Sequence, residues 1–172
     1  MGDLKKPSIS FLEEKAKTLG VAGVGIISPK SVATAAWVRL KCRFGCARFN
    51  TSHCCPPNTP TPQQMREVLD CYTRAVLVHC KGETGVTAVV TELEREAFLN
   101  GFYKALGLGA GPCRLCKECN PAGNCMHPAK ARPSMEACGI DVYATARANG
   151  FPIEVLKDQS CEPNRYGLVL VD

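Results

Sequence analysis

Apolar residues recur three and four positions apart at Val86, Val89, Val90, Leu93, Ala97 and Phe98, while Glu92, Glu94, Arg95 and Glu96 occupy the other side. That spacing predicts a long helix with one buried face. Two shorter helices announce themselves by capping signals. Ser10-Phe11-Leu12-Glu13 has the form of a capping box and starts a helix that Gly20 ends. Thr61-Pro62-Gln63-Gln64 is a second box with proline at the first helical position, after which Met65, Val68, Leu69 and Tyr72 share one face. Residues 21–27 are small and apolar without helical polar spacing and stop at Ser28-Pro29, which predicts a buried strand; residues 75–78 and 166–171 read the same way. Gly107, Gly109, Gly111 and Pro112 end the long helix and lead into a cysteine-rich loop. Asp141 or Ser134 can cap a further helix through Val142, Ala146 and Ala148, stopped by Asn149-Gly150. The alternation predicts an α/β fold: a small mixed or parallel sheet covered by helices, with cysteine-rich metal-binding loops. No repeat or linker interrupts it, so residues 1–172 read as a single cysteine-rich metal-binding domain.

Composition narrows the function. The chain has 172 residues, 45% hydrophobic, enough for a real core. Its formal charge of +5 is spread out, with no basic cluster denser than Lys5-Lys6 and Lys130 to Arg132, so no nucleic acid partner is expected. No stretch approaches the roughly 20 apolar residues that span a bilayer, and acids stand where a signal peptide would be apolar. The expected location is therefore cytoplasmic, with no membrane partner. Twelve cysteines in a reducing compartment point to metal or redox chemistry before disulfides. As thiolate ligands they would offset most of the positive charge.

Spacing sorts the cysteines. Cys113-x2-Cys116-x2-Cys119 sets three thiolates at three-residue steps, the ferredoxin-like arrangement that presents them to three irons of one cubane. Asn120-Pro121-Ala122-Gly123-Asn124 then forms a turn-rich insert that can fold Cys125 back as the fourth ligand of a 4Fe–4S cluster. The alternative is zinc, which more often uses two separated Cys-x2-Cys knuckles. A second set, Cys42-x3-Cys46 followed by Cys54-Cys55-Pro56-Pro57, supplies three ligands in Cys42, Cys46 and Cys55, with Gly45 allowing a sharp turn and the prolines fixing the chain direction. Its fourth ligand is open among Cys54, Cys71, Cys80, His53 and Cys161, or absent, which would leave one iron free for substrate. Cys71 and Cys80 also read as small hydrophobes. His127 is either a solvent-facing loop residue or a donor to the cluster. Around Cys138, Glu136 and Asp141 either serve a helix N-terminus or, with Arg132, flank a cluster. Trp37 reads as core, and Phe44 and Phe49 as either core or cluster shield. No phosphate-binding glycine loop and no serine, histidine and acid signature is present.

Three segments together resemble a known family: Cys42-Arg43-Phe44-Gly45-Cys46 with Cys55-Pro56-Pro57; Gly111-Pro112-Cys113-Arg114-Leu115-Cys116 with Cys119 and Cys125; and Arg132-Pro133-Ser134-Met135-Glu136 with Gly139-Ile140-Asp141-Val142. The chain is similar over nearly its whole length to the uncharacterised "predicted metal-binding protein" domain of unknown function met mainly in anaerobic bacteria and archaea. The resemblance implies a cysteine-bound metal centre, held by Cys42, Cys46, Cys55, Cys113, Cys116, Cys119 and Cys125. Ahead of Cys-Pro-Pro this chain departs from the family pattern with Thr51-Ser52-His53-Cys54, so Cys54 is either a neighbour or an alternative ligand. Three functions follow in order: a carrier passing electrons through one or two 4Fe–4S clusters to a protein redox partner; an enzyme or enzyme subunit with an open iron acting on a small molecule; and a zinc-stabilised interaction module.

Overall fold

The computed structural model describes residues 7–158 and 160–172. Among these described residues nine helices and strands follow in chain order: α1 (Ser10–Thr18), β1 (Gly23–Ile27), α2 (Ala36–Gly45), α3 (Pro62–Asp70), β2 (Ala75–Cys80), α4 (Val86–Leu99), β3 (Leu106–Leu108), α5 (Val142–Ala148) and β4 (Arg165–Leu170). Short 3-10 turns occupy Pro29–Ser31 and Glu136–Cys138. The result is a mixed α/β fold whose four-stranded sheet has the order β1-β2-β4-β3. All three ladders are antiparallel, with β2 paired to β1 from Ala75↔Ile27 to His79↔Gly23 and to β4 from Ala75↔Leu170 to Cys80↔Arg165.

Every residue of β2 is buried because helices cover both faces of the sheet. Alternate side chains enter different cores, as the period of two requires. Ala75 and Leu77 join Leu168 and Leu170 against Met65 and Leu69 of α3, Met135, Ile140 and Ala146. Val76, Val78 and Cys80 face α1 and α4 through Leu12, Ala16, Val90 and Leu93. The capping box at Thr61 forms as its sequence predicts, with Thr61 accepting from the Gln64 N–H and Gln64 accepting from that of Thr61. Asp141 caps α5 through the Ala144 N–H, while Ser134, the alternative cap, accepts instead from Ala137 and starts the Glu136–Cys138 turn. Cys80 is the small core hydrophobe expected of it.

Several elements correct the expectation. The box at Ser10 does not form: Ser10 is already helical, Ile9 precedes it without a side-chain cap, and the Ser10 N–H is taken by the Ser8 hydroxyl. Burial of Ile9 and Leu12, at 2% and 0% exposure, sets that helix start. The glycines after α4 do not end it; α4 stops at Leu99, and Gly107 lies inside β3. A Cβ on Gly107 would stand 3.1 Å from the Val90 carbonyl, and one on Gly167 of β4 would stand 2.6 Å from both Val86 and Val90 methyls. These glycines let α4 lie directly on the sheet. Helix α2 was unforeseen because its large apolar residues point outward: Trp37, Leu40 and Phe44 are exposed and only Val38 is buried. Trp37 is thus not core. Cys71 is exposed as well, its thiol bonded to the Glu67 carbonyl.

Candidate metal centre

Two isolated backbone bridges position the cysteine-rich segments. Beyond β3, Gly109 pairs in parallel with Ser134: the Gly109 N–H reaches the Pro133 carbonyl at 2.8 Å and Met135 returns a bond to Gly109 at 3.0 Å. The excursion between them, residues 110–132, is therefore closed at its base. Thr34 bridges Ile140, with bonds from Ala35 to Gly139 and from Asp141 to Ala33 at 2.9 and 2.8 Å, which fixes the start of α2 beside the Glu136–Cys138 turn.

Within the closed excursion the four cysteines are among the shielded residues, together with Pro112, Pro121, Ala131 and Arg132. Cys113, Cys116, Cys119 and Cys125 are half-buried, whereas Arg114, Leu115, Lys117, Glu118, Asn124 and Met126 around them are exposed. All four line one small cavity, which Cys54 completes from the opposite side. His53 and His127 also line it, and His53 ties the two walls together through the Asn120 carbonyl at 3.0 Å. The thiols are close enough to influence one another. Cys54 is pushed up to about 12, by burial first and then by Cys113, Cys125 and Cys55. Loss of solvent, then Cys119, Cys113 and Cys125, raises Cys116. Cys54 and Cys116 thus favour the protonated thiol, and ligation of a cation there would release protons.

Arg132 anchors the far end of this loop. Its guanidinium pairs with Glu94 of α4, Nε donating at 2.7 Å, and adds bonds to the Pro128 and Ala131 carbonyls. Glu94 also accepts the Gly107 N–H at 2.6 Å. One carboxylate thus joins α4, β3 and the loop. Cys54 adds a further interaction with Arg132, so positive charge stands beside the thiol-lined cavity.

The second set gathers separately. Cys42 and Cys46 are four apart and share a face of α2, with Cys46 at its C-terminal cap and Gly45 the last helical residue. Cys55 is buried in the following loop, where the Asn50 N–H reaches the Pro56 carbonyl at 2.7 Å and the Pro56-Pro57 peptide is cis. Burial first, then Cys46 and Glu136, raises the Cys42 thiol, Arg39 opposes them, and Cys55 adds to the rise. Arg39 binds these segments together: Nη1 donates to the Thr59 hydroxyl and the Ala137 carbonyl at 3.0 and 3.1 Å, and Nη2 to the Thr59 carbonyl at 2.9 Å. Cys138, pushed up to about 12 by burial, belongs to the apolar core.

The adjacent residues Cys54 and Cys55 therefore serve different sets, one beside the loop and one beside Cys42. Cys71, Cys80 and Cys161 join neither: Cys71 is exposed on α3, Cys80 lies in the α1–α4 core, and Cys161 lies beside Asp158. A larger groove along α3, between Pro57 and Cys71, brings no such cysteine group together. Among the described residues, no three His, Cys, Asp or Glu side chains are gathered tightly enough to hold a single metal ion. A cubane takes one thiolate per iron, so it accepts sulfurs spread more widely than the four donors of one zinc. Sequence spacing missed Arg39 as a member of these groups; Cys54, open as a fourth ligand of the second set, lines the loop cavity instead, and Glu136, readable as a helix-terminus acid or a flank of a cluster, stands beside Cys42.

The model of a protein family described as "Predicted metal-binding protein (DUF2284)" matches residues 25–171, a span holding all twelve cysteines. No curated protein and no solved structure matches the chain.

Proposed function

We propose that this chain, which belongs to that family of predicted metal-binding proteins, holds a 4Fe–4S cluster on Cys113, Cys116, Cys119 and Cys125 and passes single electrons to a protein redox partner. The observation that carries the reading is that these four cysteines, half-buried in a largely exposed loop, all line one cavity. When bound, such a cluster supplies one-electron oxidation and reduction at a potential tuned by burial, charge and hydrogen bonds to its sulfurs. The chain's own residues prepare that environment. Cys54 closes the cavity on its buried side, Arg132 places a cation beside it, and the Glu94 pair holds the loop against α4. No helix of the described residues is long and apolar enough to cross a membrane, so the partner is sought among proteins. The exposed stripe of Trp37, Leu40 and Phe44 on α2, next to exposed Cys46, supports docking of such a partner near the second set.

A second cluster on Cys42, Cys46 and Cys55 is part of the same reading. The lack of a fourth thiol in that set favours, as a second function, an enzyme whose cluster has one iron without a cysteine ligand.

Iron, acid-labile sulfide and zinc per chain after anaerobic purification, with EPR of the dithionite-reduced protein, test the proposal. About eight iron and eight sulfide identify two cubanes, and about four of each confine the chemistry to one. Stoichiometric zinc without sulfide overturns the electron-transfer function and leaves a zinc-stabilised module.

A further inference from the structure

We infer that Glu136 is the fourth donor of the second centre, completing Cys42, Cys46 and Cys55 with a carboxylate oxygen. The inference rests on the proposal that those three cysteines bind metal. Each fourth ligand that the sequence leaves open is placed elsewhere. Cys54 lines the other cavity, His53 holds Asn120, Cys71 is exposed on α3, Cys80 lies in the opposite core and Cys161 lies beside Asp158. Glu136 is brought to the site instead. The Thr34↔Ile140 bridge and the Arg39 bonds to Ala137 and Thr59 fix its turn against α2 and the Cys55 loop, and its carboxylate is a charged neighbour of Cys42.

The carboxylate itself asks for a ligand. Ser134 supports one side of it, but Oε2 is sealed from solvent and has no hydrogen-bond partner among the described residues. Burying an acceptor that is left unpaired forfeits its hydration with no return, and a charged one forfeits most. Arg39 does not relieve it: both terminal nitrogens are engaged with Thr59 and Ala137, and the two residues form no ion pair among the described residues. The iron of a cluster held by these three thiolates would supply the positive charge that such an oxygen lacks. Carboxylate oxygen is an accepted ligand of iron and zinc, harder than thiolate, so this centre would be distinct from the all-thiolate loop centre.

The test compares Glu136→Gln, Glu136→Cys and Cys42→Ala in the full chain purified anaerobically, reading metal and sulfide per chain, reduced-state EPR, and far-UV CD as a check of folding. Glutamine keeps the size and loses the charge, so it is expected to halve the metal content, from about eight iron to about four, and to leave the loop signal intact. Cys42→Ala should remove the same half. Glu136→Cys should restore full content with a changed spectrum for that centre. Full metal content and an unchanged spectrum in Glu136→Gln, with loss in Cys42→Ala, would overturn the role of Glu136 while sparing the second centre. Full content in both would overturn the second centre together with its fourth donor.

Discussion

Replacing Glu94 by alanine should loosen the whole cysteine loop although Glu94 touches none of the cysteines in it. Its side chain and that of Arg132 are 16% and 15% exposed, so the pair is largely shielded from water and salt. One oxygen of Glu94 holds both the Gly107 N–H at 2.6 Å and Arg132 Nε at 2.7 Å, and the other takes the Arg132 Nη2 group. Breaking a buried pair costs about 3–5 kcal/mol because the surviving charge is left unpaired. Arg132 keeps its bonds to Pro128 and Ala131, which sets the loss near the lower end, about 3 kcal/mol. In a chain of this size that lowers Tm by about 6–12 °C. Glu94→Gln retains an acceptor for Gly107 and should lose about half as much. Denaturant titration and calorimetry at matched metal loading measure these values, and a double-mutant cycle with Arg132→Met isolates the pair. Coupling of about 1–3 kcal/mol is expected. A Glu94→Ala loss under about 0.5 kcal/mol, additive with Arg132→Met, would show that the pair does not pin the loop.

Cys116→Ala should lower iron and sulfide by one cluster while Cys71→Ala leaves both unchanged; equal iron in the two proteins would refute the ligand assignment. Gly167→Ala should destabilise by about 1–3 kcal/mol, seen as a lower denaturation midpoint, since the new methyl meets Val86 and Val90 at 2.6 Å. Gly20→Ala has open space around it but a φ of +78°, so only the backbone penalty of about 1 kcal/mol is expected there. Arg39→Met should release metal from the Cys42 set on dilution without altering the EPR signal of the loop, because its bonds to Thr59 and Ala137 hold only that set together. Loss of both signals would mean that Arg39 supports the fold at large.

Local chemistry was legible wherever one segment contains its own cause. The capping box at Thr61, the buried run at 75–78, the inward face of α4 from Val86 to Ala97, though not the exposed Phe98, and the stop at Asn149-Gly150, where Gly150 has a φ of +76°, all follow from neighbours within a few residues. Four cysteines crowded between positions 113 and 125 likewise mark one loop without knowledge of the fold. Helix α2 escaped because the rule that apolar faces turn inward fails where Trp37, Leu40 and Phe44 face solvent. β3 escaped because glycines that normally interrupt structure here make room for a helix above them. Alternating strand and helix segments predicted a small mixed or parallel sheet covered by helices, but coverage of both faces, strand order and antiparallel pairing depend on which faces and hydrogen-bonding edges meet, and no single segment carries that information. The same holds for the candidate centres. That Cys54 faces the loop while Cys55 faces Cys42, and that Glu136 is carried to α2 by a bridge between Thr34 and Ile140, are contacts between residues far apart in the chain. Their partners are chosen by how the layers pack, and only the tertiary structure holds that choice.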